Sequence, residues 1–292
     1  MRVHLVDGTY ELFRYFYAPG DSGGAGSVEE LRAVRGVVGS MLGLLEAEAT
    51  HVGVATDHVV ESFRNDLWPG YKTGEGIDPV LFAQFEPLER ALESLGVAVW
   101  AMIELEADDA LGSAAAVAEA DPRVNRVLVC SPDKDLAQCV RGDRVVQLDR
   151  RAREIRNEAG VVARFGVPPR SIADWLALAG DSSDGYPGLP GWGAKSAATV
   201  LARYGSIEAI PRSAANWDVA VRGAARLAAT LVERRDDALL FRTLARLRTD
   251  APVGRVDDWE WEGPRDDFAA TAARLGDAHL AERAAALARS RR

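Results

Sequence analysis

The sequence has little cysteine, little histidine and almost no lysine, and it has no long apolar run. Its two cysteines, Cys130 and Cys139, and four histidines, His4, His51, His58 and His279, show neither Cys-x-x-Cys nor His-x-x-x-His spacing. Neither a disulfide framework nor a zinc site is expected. Near the start, Val3, Leu5 and Val6 run straight into Asp7, too short for the apolar core of a signal peptide, and no stretch reaches the roughly 20 apolar residues of a membrane helix. A cytoplasmic protein with no membrane contact is the expectation. Of 35 basic residues only three are lysine, Lys72, Lys134 and Lys195. A genome rich in Arg and Ala codons accounts for such scarcity, yet each lysine falls in a segment singled out below on other grounds.

The chain of 292 residues is 48% hydrophobic and 27% charged, an ordinary globular composition for one large α/β domain or two domains. A net charge of −9 at first argues against a nucleic-acid partner, because phosphate binding draws on Lys and Arg. The distribution reverses that argument. Residues 185–250 carry ten basic against six acidic side chains, and residues 141–170 eight against four. The acid is concentrated elsewhere.

Apolar runs at Val3–Val6, His51–Thr56, Val97–Ile103 and Arg126–Cys130 read as buried strands, with amphipathic helical stretches at 28–48 and 79–94 and a Gly/Ser loop at 20–27. A fifth strand reads at Arg144–Leu148. The alternation predicts an α/β fold, a mainly parallel twisted sheet flanked by helices, whose working crevice lies beyond the carboxyl ends of the strands. Those ends carry Asp7; Asp57; Glu106, Asp108 and Asp109; and Asp133 with Asp135. All are expected on one rim. Asp149, after the fifth strand, reads as an ordinary turn residue. From Val167 the pattern changes to helices punctuated by Gly and Pro, which predicts an α/β core over 1–168 and a helical region over 169–292.

Carboxylates this close together stay ionised only when positive charge sits among them. Oxygen donors without His or Cys select Mg2+ or Mn2+. Glu106-Ala107-Asp108-Asp109 at a helix start puts acids where the helix dipole favours them, and Asp181 with Asp184 would share one helical face. Ligands for two or more ions point to two-metal hydrolysis of a phosphodiester. The bland alternative, capping and turn residues, applies to any one acid, Asp57 or Asp184 in particular, rather than to the ensemble.

Two further segments bear on phosphate. Gly188-Leu189-Pro190-Gly191-Trp192-Gly193 before Ala194-Lys195-Ser196 has the form of a turn between two helices, with backbone N–H groups at a helix start that hold a backbone phosphate without reading bases. In the stretch Ser62 to Lys72, Arg64 and Lys72 are placed to stabilise charge on a scissile phosphate and Tyr71 to stack on a base. The alternative there is a solvated loop with Trp68 tucked into the core.

These motifs, in this order, resemble the bacterial 5′-nuclease family: the 5′→3′ exonuclease domain of DNA polymerase I and its stand-alone flap endonuclease relatives. The run Ala238 to Asp250 extends the resemblance to about residue 255. It implies a PIN-like core with a helical arch at about 64–90 and a helix-hairpin-helix at about 175–205. It implies that Asp7, Asp57, Glu106, Asp108, Asp109, Asp133, Asp135, Asp181 and Asp184 are metal ligands and that Lys72 and Arg64 meet the reacting phosphate. Arg14, Tyr71, Gly188, Gly191, Gly193, Lys195 and Ser196 are implied as DNA contacts, with K+ at the hairpin. Three departures stand out: Val59 where the family has a basic residue, the acidic run Thr73-Gly74-Glu75 after Lys72, and Trp192 for Ile or Val as a larger packing residue.

The expectation is a monomeric Mg2+- or Mn2+-dependent 5′→3′ exonuclease and flap endonuclease acting on DNA with a 5′ flap, a nick or a free 5′ end, or on an RNA primer. The rivals are a catalytically silent relative that only binds branched DNA, which the intact acid set argues against and the less basic arch slightly favours, and a toxin-type ribonuclease with a related core, which the chain length and the hairpin motif disfavour.

Overall fold

The computed structural model describes residues 1–18 and 31–291, so the loop expected at 20–27 lies outside the described residues. The chain packs as two units, residues 1–60, 74–131 and 249–292 in the first and 61–73 with 132–248 in the second.

In the first unit β1 (Arg2–Asp7), β2 (His51–Asp57), β3 (Ala98–Met102) and β4 (Arg126–Cys130) pair in parallel in the spatial order β3-β2-β1-β4. Val3, Leu5, Val6, Val54, Ala55, Val127 and Val129 are fully buried, the continuous apolar runs of a parallel sheet covered by helices. The helices are Gly8–Phe16, Arg32–Glu46, Phe85–Leu95 and Ala107–Ala120. Asp7 lies opposite Ala55, two residues before the end of β2, and Asp57 lies opposite Met102, where β2 and β3 end together. At Gly8 a Cβ would fall 2.7 Å from a Val54 methyl and 2.9 Å from the Ala55 carbonyl; glycine lets the first helix start directly off the strand.

The stretch 249–292 packs in this unit, not in a helical region running from 169 to the end. Trp261 donates its backbone N–H to Thr50 O (2.8 Å) and its indole N–H to Leu95 O (2.8 Å), and Trp259 sits edge-on to Trp100 at 5.3 Å. Two buried indoles thus tie the segment down, an anchor that its Gly/Pro spacing concealed.

The second unit is built on helices Glu158–Phe165, Ile172–Ala179, Ala194–Tyr204, Ala224–Glu233 and Arg235–Ala245 around Ile172, Leu176, Val200, Leu201, Phe241 and Leu244. It also holds an antiparallel pair, β5 (Val145–Asp149) and β6 (Glu154–Arg156). Three residues are too few to show alternation, which is why β6 is silent in the sequence. Asp149 closes the turn between them by accepting from Arg151 N (3.0 Å) and Ala152 N (2.9 Å). The segment 64–90, expected as one arch, is divided between the units and broken into Phe63–Leu67, Pro79–Phe82 and the start of Phe85–Leu95. Pro69-Gly70 and Gly74 to Gly76 interrupt its helical period. Among the described residues no helix is long and apolar enough to cross a membrane.

Candidate active site

The nine carboxylates fall in two groups, five on the first unit and four on the second. On the first, Asp7 ends β1 and caps the following helix, Oδ1 accepting from Tyr10 N (2.8 Å) and Oδ2 from Ser131 Oγ (3.0 Å). Asp57 ends β2; its N–H donates to Thr9 Oγ1 (2.9 Å), and its Oδ1 accepts from Ala107 N (2.8 Å) at the start of helix Ala107–Ala120. Glu106 donates its backbone N–H to Asp109 Oδ2 (3.1 Å) in a capping box; both residues are buried, and Asp108 is half-buried. Glu89, silent in the sequence reading, accepts from Thr56 Oγ1 (2.7 Å) and meets His58 Nδ1 (2.8 Å), gripping the residues on both sides of Asp57.

On the second unit, Asp135, Asp181 and Asp184 form the one group of three among the described residues whose ligand atoms all lie within 4.8 Å of one another. Asp133 joins them through its Oδ1, which accepts from Asp135 N at 2.8 Å. Asp181 and Asp184 do not share a helical face. They sit in a turn closed by Asp181 N to Tyr186 O (2.8 Å) and Tyr186 N to Asp181 O (3.0 Å), because Gly180 and Gly185 take positive φ and leave the helix. Gly185 has no substitute: at φ +81° its Cβ would lie 2.0 Å from Gly70 O.

Two of the three lysines serve this cluster. Lys134 Nζ lies 2.7 Å from Asp181 Oδ2 and Lys72 Nζ 3.1 Å from Asp184 Oδ1. Burial opposes the Lys134 charge, but the bond to Asp181 and the charges of Asp135 and Asp133 outweigh it and raise its pKa. Lys134 is a site residue that the sequence reading left out, although its scarcity and its place between two candidate acids were the signal. Two ammonium groups thus stand among four carboxylates. Asp135 bears the strain: burial first, then the charges of Asp133, Asp184 and Asp181, push it well above the ordinary carboxylate range. Among the described residues its Oδ1 is buried without a hydrogen-bond partner. An all-oxygen donor set with a bare buried oxygen fits a hard divalent cation.

Two expected substrate contacts are interior. Arg64 is 2% exposed, with Nε on Leu244 O (2.7 Å) and Nη2 on Arg246 O (3.1 Å), carbonyls at the end of helix Arg235–Ala245. Those carbonyls, left over at a helix C-terminus, draw in the guanidinium. Tyr71 is buried in the core of the second unit and cannot offer its face to a base. Trp68 lies partly against the same core, edge-on to Phe241 at 5.2 Å. Arg14 bonds the buried Glu11 and lies 4.4 Å over the Tyr15 ring.

The turn at 188–193 joins helices Ile172–Ala179 and Ala194–Tyr204, with Gly188 and Gly191 at positive φ. Trp192 is buried, its indole donating to Leu227 O at 3.2 Å. Ser196 Oγ is turned inward, accepting from Gly193 N and donating to Gly193 O at 3.0 Å each, whereas Lys195 is exposed.

A family model for the N-terminal resolvase-like domain of 5′-3′ exonuclease matches residues 2–166, and a model for its C-terminal SAM fold matches residues 167–267. DNA polymerase I of Mycobacterium tuberculosis is 34% identical over 261 residues, 87% of this chain and 28% of its own length. The thermostable DNA polymerase I of Thermus aquaticus is 34% identical over 254 residues, 86% of this chain and 29% of its own length. The chain therefore spans less than a third of these relatives. Among solved structures, a variant of the T5 5′-exonuclease superposes with a TM-score of 0.65 at 16% identity, covering 98% of this chain and 97% of that one. The catalytic core of Rad2 in complex with DNA substrate gives 0.62 at 14% identity, covering 98% and 92%. At such identities the two show a shared fold.

Proposed function

The chain belongs to the 5′-3′ exonuclease family, and from that premise we propose that it is a metal-dependent hydrolase of DNA phosphodiester bonds, working inward from a free 5′ end or nick and at the base of a 5′ flap, and accepting an RNA primer in the same position. The observation that carries the reading is the Asp135, Asp181 and Asp184 group, with ligand atoms within 4.8 Å. Asp133, Asp135, Asp181 and Asp184 are the residues that would hold one Mg2+ or Mn2+, and Asp7, Asp57, Glu106, Asp108 and Asp109 those that would hold another. Bound there, the cations supply Lewis acidity toward the phosphate and lower the pKa of the attacking water.

Lys134 and Lys72 hold Asp181 and Asp184 in place and limit their mutual repulsion. Backbone N–H groups of Tyr10 and Ala107 fix the carboxylates of Asp7 and Asp57 in the same way. The turn at Gly188 to Gly193, with Lys195 beside it, is the contact to the duplex backbone and the seat proposed for a potassium ion. The family match and the names of the relatives support the nuclease part of this reading; that the protein is a cytoplasmic monomer is proposed with it.

The test is cleavage of a double-flap DNA labelled at both ends, in Mg2+, in Mn2+ and in chelator. A short 5′ fragment released only with metal, and lost by at least about 100-fold in Asp109→Ala and Asp133→Ala, is the expected result. Tight binding of that DNA without cleavage in either metal would replace the enzyme by a silent binder of branched DNA.

A further inference from the structure

Helix Arg32–Glu46 presents two unlike faces. Val34, Val37, Val38 and Met41 are fully buried, whereas Arg32, Arg35, Gly36, Gly39 and Ser40, which recur at the spacing of one helix face, are half-buried. This second face borders a cavity of about 430 Å³ within the first unit, walled on its other sides by Tyr15, by Asp277, and by Leu280 and Arg283 of helix His279–Ser290. Small-molecule sites have volumes of roughly 300–1,000 Å³, so the cavity is of that kind. Gly36 is demanded by packing, since a Cβ there would fall 2.4 Å from the Tyr15 ring. Gly39 is not: among the described residues the sole atom within 4 Å of its Cβ would be Leu280 Cδ2, at 3.7 Å. Glycine is the poorest helix former after proline, and what Gly39 preserves is depth in the cavity.

The arginines of this wall are anchored but not neutralised. Arg32 Nη2 donates to Phe16 O (3.0 Å) and Arg35 Nη1 to Leu275 O (3.2 Å), so one nitrogen of each guanidinium is tied to a main-chain carbonyl. Among the described residues neither has a carboxylate partner, and each keeps its other N–H donors. Arg283 differs, because its Nε (3.0 Å) and Nη2 (2.7 Å) both meet Glu46. Asp277 is the carboxylate of the lining, and its Oδ1 accepts from His279 N (3.2 Å). Beyond the Arg283–Glu46 pair, the lining therefore sets two guanidinium groups against one carboxylate. Guanidinium groups three residues apart on one helix face, each already held by a carbonyl, offer planar forks to a tetrahedral oxyanion.

The helix leads through residues 47–50 into β2, so it runs against the strands, and its arginines stand toward the carboxyl end of the sheet, the end that carries Asp7 and Asp57. We infer that the cavity is a phosphoryl-binding site outside the acid clusters, in which Arg32 and Arg35 together hold one phosphate. That phosphate has two sources. One is the backbone of a nucleic acid engaged at the acids, which rests on the DNA reading above; the other is a free nucleotide, which does not.

Binding to the metal-free protein tests this without any cleavage, so a failure of the nuclease reading is seen separately, in the flap assay. Inorganic phosphate and thymidine 5′-monophosphate are titrated by calorimetry, and labelled single-stranded and duplex DNA by fluorescence anisotropy, with the wild type, Arg32→Gln, Arg35→Gln, Arg35→Lys and Arg265→Gln. Arg265 is an exposed arginine of the same unit outside the cavity. The expected result is a loss of at least about 10-fold in each glutamine variant, the size of one charge-assisted hydrogen bond, and a change within about twofold in Arg265→Gln. A loss for DNA alone assigns the phosphate to the backbone, and a loss for phosphate or the mononucleotide assigns it to a free ligand. Arg35→Lys keeps a donor for Leu275 O and should still bind more weakly than the wild type, because an ammonium lacks the fork; it decides the matter if the glutamine variants melt early. Equal binding of every probe by the wild type and Arg35→Lys, or a loss in Arg265→Gln as large as in Arg35→Gln, would overturn the site.

Discussion

Lys134 Nζ lies 2.7 Å from Asp181 Oδ2, and this pair supplies part of the positive charge that lets a buried acid cluster form before any cation binds. The Asp181 side chain is 2% exposed and that of Lys134 is 30% exposed. Lys134→Met would leave a buried carboxylate beside three others with one cation fewer. We expect the metal-free protein to lose about 1–3 kcal/mol, below the cost of breaking a fully enclosed pair because the ammonium is partly solvated. Saturating Mn2+ should recover most of it. Urea unfolding with and without Mn2+ checks both parts; an equal loss in the two conditions would mean that the lysine does not stand in for the ion.

Arg64 is a structural residue by its bonds. Its Nε and Nη2 satisfy Leu244 O and Arg246 O at 2.7 and 3.1 Å, and it is 2% exposed. Arg64→Ala is expected to cost about 2–4 kcal/mol through two unsatisfied carbonyls and a cavity. Arg64→Lys should recover little, because an ammonium lacks the planar fork. Denaturant unfolding measures this. A variant as stable as the wild type but unable to cleave would return Arg64 to the reacting phosphate.

The legible parts of this molecule were those where chemistry repeats along the chain. Parallel strands buried on both faces leave unbroken apolar runs, so β1 to β4 and the acids at their ends could be read directly. The carboxylates of the second unit were legible as a set, but not their setting, since a turn held by Gly180 and Gly185 and a helix place Asp181 and Asp184 alike in sequence spacing. Arg64 and Tyr71 were misplaced for one reason: a cation or an aromatic next to an acid looks the same whether it faces substrate or closes a helix end 180 residues away in sequence. Long-range partners of that kind, like the indoles of Trp259 and Trp261, leave no local period to detect.

Arg242 bridges Asp174 (3.1 Å) and Glu208 (2.6 Å) in the second unit. Its hydrogen bond holds the Glu208 carboxyl down at about 2, against an ordinary value of 4.5. The folded-state value is the lower one, so the contribution is complete above the unfolded-state pKa and is lost as pH falls from about 4.5 toward 2. Because the Glu208 side chain is 50% exposed, solvent screening limits it to no more than about 1 kcal/mol. Unfolding free energies of the wild type and Glu208→Gln should therefore differ most at neutral pH and converge only as pH falls to about 2. A gap that widens on acidification would contradict the assignment.

At the hairpin the two polar neighbours divide the work. Ser196 Oγ spends its bonds on Gly193 N and Gly193 O, each at 3.0 Å, whereas Lys195 is exposed beside it. Ser196→Ala should act on the protein alone, costing about 1 kcal/mol of stability through loss of a cap and leaving the salt dependence of DNA binding unchanged. Lys195→Ala should leave stability unchanged and weaken binding to every duplex sequence alike. One phosphate contact fewer should flatten the slope of log affinity against log salt by about 0.9. Fluorescence anisotropy with two duplexes of unrelated sequence, each titrated across a range of KCl, resolves these effects. If Lys195→Ala weakens one sequence and spares the other, the hairpin reads bases and is not a backbone clamp.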